Sequence, residues 1–97
     1  MKHIYVGQTK LRIVLDTHVD LTSGKEYEIC YMKPNGTEGS FTAHVLDAEK
    51  GTIFYDIVSS DELDMSGYWK LWPRIVFEDD RMALGRSARI FVYEAGD

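Results

Sequence analysis

The sequence predicts an all-β domain, a two-sheet sandwich of about seven antiparallel strands. Three observations carry that expectation. Short apolar runs rich in β-branched and aromatic residues recur along the chain, with turn-forming residues between them. Inside the runs apolar residues recur at a spacing of two: Tyr27, Ile29 and Tyr31 share one parity, with Glu26 and Glu28 on the other. A chain of 97 residues has room for one core, so the runs must pack on one another as a single domain, 1–97.

Taken in order, Ile4, Tyr5 and Val6 form a short first edge strand, and residues 11–15 the next run. Residues 27–32 follow and end in Lys33-Pro34-Asn35-Gly36. Proline presets φ and the residues after it tolerate a positive φ, so a hairpin to residues 41–46 is expected. Polar residues 47–51 end that run, and residues 52–58 alternate again through Ile53, Tyr55 and Ile57. Residues 60–65 hint at no more than one helical turn. The run 68–77 leads through the polar loop Glu78-Asp79-Asp80-Arg81 toward the last run, 88–93. The parities place Ile13, Leu15, Tyr27, Ile29, Tyr31, Phe41, Val45, Ile53, Tyr55, Ile57, Trp69, Leu71, Ile75, Ile90 and Val92 in the core.

The segment Asp64-Met65-Ser66-Gly67-Tyr68-Trp69-Lys70-Leu71 is the most informative. A polar corner with glycine leads into a strand that carries a large aromatic and, two residues on, an apolar side chain. Immunoglobulin-like sandwiches use this layout where the chain crosses between sheets, with a tyrosine whose hydroxyl bonds back to the corner. Here Trp69 takes that place, Gly67 permits the corner, and Leu71 stands where a disulfide cysteine would. An indole N–H can still donate one bond.

Together with Ile13-Val14-Leu15-Asp16-Thr17 and Lys33-Pro34-Asn35-Gly36-Thr37, this segment resembles the immunoglobulin-like N-terminal domain of phage baseplate upper proteins. The likeness runs from Val6 to Tyr93. It implies a phage or prophage structural protein of the tail or baseplate, without catalysis. Its partners would be other phage structural proteins or a second copy of itself, and its place the virion, assembled in the bacterial cytoplasm. Set beside larger members, the chain would be expected to lack their receptor-binding or trimer-forming C-terminal segment. The alternative weighed beside it is a carbohydrate-binding sandwich that stacks sugars on outward aromatics.

Charge and composition narrow the classes further. With 11 basic and 16 acidic residues the net charge is −5, which argues against nucleic acid and against an anionic membrane as partner. No run approaches the roughly 20 apolar residues of a spanning helix, and the first residues lack a signal-peptide core. The single cysteine, Cys30, has no disulfide partner in the chain, and an apolar run surrounds it, so a structural role in a reducing compartment is expected.

No enzymatic constellation emerges, and no cofactor is expected. Asp16, His18 and Asp20 stand at a spacing of two, as metal ligands on a strand would, but a solvated loop into Leu21-Thr22-Ser23-Gly24 is the expectation. The acidic groups Asp61, Glu62, Asp64 and Glu78, Asp79, Asp80 lack the spacing of a calcium loop. His3 and His44 stand alone.

The candidate site is an interface. Tyr68, Trp72, Phe91 and Tyr93 fall on the parity opposite to the expected core, flanked by Lys70, Arg74 and Arg89. Outward aromatics with arginine suit a partner surface, and hairpin pairing of the last two runs would bring them together.

Overall fold

The computed structural model describes residues 3–94 and Gly96, and it is all-β. Nine strands are present among the described residues: β1 (Ile4–Tyr5), β2 (Leu11–Asp16), β3 (Gly24–Met32), β4 (Glu38–Thr42), β5 (His44–Asp47), β6 (Thr52–Ile57), β7 (Gly67–Phe77), β8 (Met82–Leu84) and β9 (Ala88–Tyr93). A larger sheet has the order β1-β9-β7-β3-β4, with β8 also paired to β7. A three-stranded sheet, β2-β6-β5, packs against it. The result is an immunoglobulin-like β-sandwich, with β1 added in parallel to β9 at one edge of the larger sheet.

The strand number departs from the seven expected, for two reasons. The run 41–46 is not one strand. The chain leaves the larger sheet after Thr42, Ala43 N–H donates back to Tyr27 O at 2.8 Å, and His44 enters the smaller sheet. Ala43 is buried at this crossing, where a larger side chain would hold the sheets apart. The second reason is β8, a short return after the turn at Asp80, whose φ is 63° and whose N–H bonds Phe77 O.

β7 continues through Pro73, a residue that normally ends a central strand. Its carbonyl accepts from Gly85 N–H at 3.2 Å, on the side of the sheet where β9 gives way to β8. The N and C=O of one strand residue point the same way, so the missing N–H falls in that gap and breaks no ladder bond.

The inward parities were legible. Ile13, Leu15, Ile29, Phe41, Ile53, Ile57, Trp69, Leu71, Ile75 and Val92 are buried, while Tyr27, Tyr31, Val45, Tyr55 and Ile90 pack half-buried around them. Leu21 and Leu63 complete the core from loops, which strand periodicity does not reveal. At the corner, Trp69 is 0% exposed and its Nε1–H donates to Met65 O at 2.8 Å. The indole thus performs the bond that a tyrosine makes elsewhere in this fold. Gly67 has φ 119°, and a Cβ there would meet Pro34 Cγ at 2.8 Å, so the corner packs on the β3–β4 turn. Lys33 ties the two together, with Nζ 2.9 Å from Asp64 Oδ1 and 5.6 Å from the Trp69 ring.

Glu62 is structural rather than one of an acidic cluster. Its carboxylate accepts from Val58 N–H and Ser59 N–H, both at 2.8 Å, and from the Tyr55 hydroxyl. That last bond, with desolvation and the carboxylate's charge, pushes the Tyr55 phenol from 10.0 up to about 12. Partial desolvation opposes the charge on Glu62, but the three bonds outweigh it and hold the carboxyl below its usual range. The signs give opposite limbs. The raised phenol contributes stability that is complete below pH 10 and lost as pH climbs toward about 12. The lowered carboxyl contributes stability that is present above the ordinary carboxylate range and lost as pH falls through its folded value. In Tyr55→Phe the alkaline loss between pH 10 and 12 should shrink, as read by urea midpoints across that range; an unchanged alkaline limb would refute the linkage.

Candidate functional site

On β7 the odd residues face the core, which leaves Tyr68, Lys70, Trp72 and Arg74 on the outer face of the larger sheet. The antiparallel register places Tyr68 opposite Phe91 and Lys70 opposite Arg89. Three of the four outward aromatics come together here. Tyr68 and Phe91 pack edge to face at 4.8 Å between centroids, and Phe91 meets Tyr93 at 4.7 Å in the same manner. Tyr68 remains 60% exposed and Phe91 38%.

Two further rings extend this row, and both were missed at the level of sequence. The parallel register of β1 sets Tyr5 opposite Tyr93, with centroids 6.0 Å apart, and His3 stacks on Tyr93 at 4.4 Å. The spacing of two between His3 and Tyr5 was visible. What could not be read was that β1 pairs with the last strand of the chain.

Trp72 is not part of the row. It lies opposite Cys30 on β3, one step past the point where β9 ends. There it borders an open depression of about 340 Å³ with Met32, Glu38, Lys70, Leu84 and Ser87. Arg74 is also set apart: its Nη1 donates to Glu28, its cross-strand neighbour, so its charge is used within the sheet. Cys30 is buried on this outer face, and burial, with the nearby Glu28, pushes its thiol up. A raised pKa keeps the thiol protonated and its sulfur a poor nucleophile.

The centre of the face holds an electrostatic conflict. Lys70 and Arg89 are directly opposite one another, and like charges in that relation destabilise a sheet. Each leans instead over a ring: Arg89 Cζ lies 5.6 Å from the Tyr68 centroid and Lys70 Nζ 5.8 Å from that of Trp72. Neither has an ion-pair partner among the described residues. A chain of net charge −5 therefore presents two uncompensated cations between exposed aromatics.

The other candidate positions do not converge. His18 Nδ1 lies 3.5 Å from Asp16, whose Oδ1 also accepts the His18 N–H, while Asp20 caps Thr22 N–H at 2.8 Å. His18 has φ 59°, a turn geometry that takes it off the strand and away from the spacing-two face. Among the described residues no three His, Cys, Asp or Glu side chains group as metal ligands would. Asp80 pairs with Lys25 Nζ at 2.7 Å and Asp79 with Arg81 at 3.3 Å.

No family model and no curated protein matches the chain. Among solved structures it is similar to CopC from Methylosinus trichosporium OB3b, at 11% identity and a TM-score of 0.58, over 98% of this chain and 87% of that one. The likeness carries the sandwich fold. It also corrects the expected role: a match along the whole chain to CopC points away from a phage or prophage tail or baseplate protein, and nothing supports a virion part. The motifs behind that expectation are the chemistry of the fold itself. A Lys-Pro-Asn-Gly hairpin and a Gly-x-Trp corner arise wherever such a sandwich needs a tight turn and a sheet crossing, whatever its function.

Proposed function

We propose that this chain is a non-catalytic recognition domain, and that the outer face of its larger sheet binds an acidic protein segment. The observation that carries this reading is the unpaired Lys70–Arg89 couple set among Tyr68, Phe91 and Tyr93. A carboxylate arriving between the two cations relieves a repulsion that the free protein sustains. The rings supply apolar area beside it, and the combination of aromatics and arginine is what protein interfaces favour.

The ring geometry supports a protein partner over a sugar. Edge-to-face packing at interplanar angles of 75° and 68° turns the rings against each other rather than laying them flat as stacking platforms. The overall charge of −5 disfavours a phosphate backbone. Nothing in this reading asks for a metal, a cofactor or a membrane.

Selection from a random peptide display library tests it, with counter-selection on the double variant Tyr68→Ser/Phe91→Ser. Binders should be rich in Asp and Glu next to apolar residues, and should lose at least tenfold in affinity when Arg89 or Lys70 is changed to Glu. The double variant should keep its fold, since the pair contributes about 0.5–1.5 kcal/mol beyond its burial. Peptides without acidic bias, or ones that bind the variants equally, would refute the assignment.

A further inference from the structure

A different surface, the free edge of the smaller sheet, carries a second and independent inference. Among the described residues β2 pairs only with β6, in an unbroken register from Leu11↔Ile57 to Asp16↔Thr52. An edge of six regular residues, with no proline, glycine or bulge, is what natural sheets usually avoid. Among the described residues the other edges are blunted: β1 has two residues, β8 three, β4 contains Gly39, and β5 shifts register between Val45 and Asp47.

The phase of the β2–β6 ladder decides which backbone groups are unpaired. Thr17 N–H bonds Gly51 O at 2.7 Å, one step past the Asp16↔Thr52 pair. Odd residues therefore turn their N–H and C=O toward β6, and the even residues Arg12, Val14 and Asp16 turn theirs to the open side. The same three residues place their side chains on the solvent face, and Val14 is 47% exposed.

This edge is self-complementary. In an antiparallel pairing of β2 with a second copy, centred on Val14, each Arg12 stands opposite the other copy's Asp16, and the two Val14 side chains meet at the twofold axis. Every unpaired backbone group of the three even residues gains a partner in that register. Arg12 already holds Asp56 through Nε at 2.8 Å and Nη2 at 3.1 Å, which leaves Nη1 for a second carboxylate. Beside the edge lies an apolar groove of about 230 Å³, bordered by Ile4, Leu11, Leu15, Leu71, Ala88 and Ile90, which the second copy would cover.

We infer that the chain forms a twofold dimer by β2–β2 pairing, joining the two three-stranded sheets into one continuous six-stranded sheet. The charge pattern makes the test specific. Asp16→Arg sets Arg12 against arginine at both contacts, and Arg12→Asp sets aspartate against aspartate, so each variant alone should be monomeric. Mixed, the two variants restore both opposite-charge pairs and should form a one-to-one heterodimer.

Native mass spectrometry and sedimentation read these states, with circular dichroism confirming that each variant is folded. Val14→Lys, a surface change that places two ammonium groups at the axis, should also give a monomer. Tyr68→Ser/Phe91→Ser should leave the dimer intact, which separates this inference from the proposed recognition face. A monomeric wild type overturns it, whatever else then covers the edge. So does a dimer that survives Val14→Lys, or folded charge variants that fail to reassociate on mixing.

Discussion

Replacing Trp69 by alanine is expected to lower the unfolding free energy by about 3–5 kcal/mol, the range for deleting a large buried ring. The side chain is 0% exposed and lies 5.3 Å, centroid to centroid, from Tyr31. Its indole N–H is the bond that ties β7 to the corner at Met65. Alanine removes the ring, leaves a cavity between the sheets, and strands the Met65 carbonyl. Domains of this kind are stable by about 5–15 kcal/mol, so the loss is a large share of the total. Trp69→Phe separates the contributions: most of the ring is kept, the hydrogen bond is lost, and about 0.5–1.5 kcal/mol of the effect should remain for that bond alone. Urea denaturation measures both. An unmoved midpoint in the alanine variant would show that the corner is not a stability element.

Gly51→Ala is expected to have the second-largest effect. Gly51 is buried with φ 77°, a region that costs an L-residue about 1–2 kcal/mol. Its carbonyl accepts two bonds from Thr17, from N–H at 2.7 Å and from Oγ1 at 2.8 Å, and its own N–H reaches Asp47 O at 2.9 Å. A Cβ would stand 2.2 Å from Val19 O and 2.9 Å from Thr17 Oγ1. Backbone cannot yield as a side chain can, so the β5–β6 turn or the 17–19 loop must move, and the buried Thr17 bonds go with it. Each such bond left unsatisfied costs about 1–3 kcal/mol. Gly36→Ala is the internal control, because Gly36 has φ 88° but a Cβ there meets nothing within 4 Å. It should show the conformational cost alone. If Gly51→Ala melts no lower than Gly36→Ala, the close approach to Val19 does not constrain this position.

What was legible in the sequence follows from locality. Alternation within a strand names its inward face, and the inward faces of β2, β3, β6, β7 and β9 were read correctly down to Ile13, Ile29, Ile53, Trp69 and Val92. The corner was legible because Gly67 and Trp69 lie two residues apart, and their roles depend on that spacing. Events that depend on distant parts of the chain were hidden. The sheet switch at Ala43 requires knowing that Tyr27 O awaits its N–H. Leu21 and Leu63 fill the core from loops whose other residues are mostly polar. Pro73 is tolerated only because β9 and β8 leave a gap beside it.

The candidate site shows the same division. The outward parity of Tyr68, Phe91 and Tyr93 was readable, and so was the proximity of arginine. Trp72 was grouped with them because four residues on one strand keep the same face, yet β9 ends at Ala88 opposite Leu71, and Trp72 passes beyond it. The addition of His3 and Tyr5 depended on a parallel pairing between the two ends of the chain. The Lys70–Arg89 opposition needed the register, which no single strand contains.

The most direct test of the recognition face is a nuclear magnetic resonance titration of isotopically labelled protein with a selected acidic peptide. The largest shift changes should fall on Tyr68, Lys70, Arg89, Phe91 and Tyr93, with Tyr5 affected through its contact with Tyr93, while β2, β5 and β6 of the opposite sheet stay unmoved. Saturable changes centred on those three strands, with the rings of β7 and β9 undisturbed, would contradict the account.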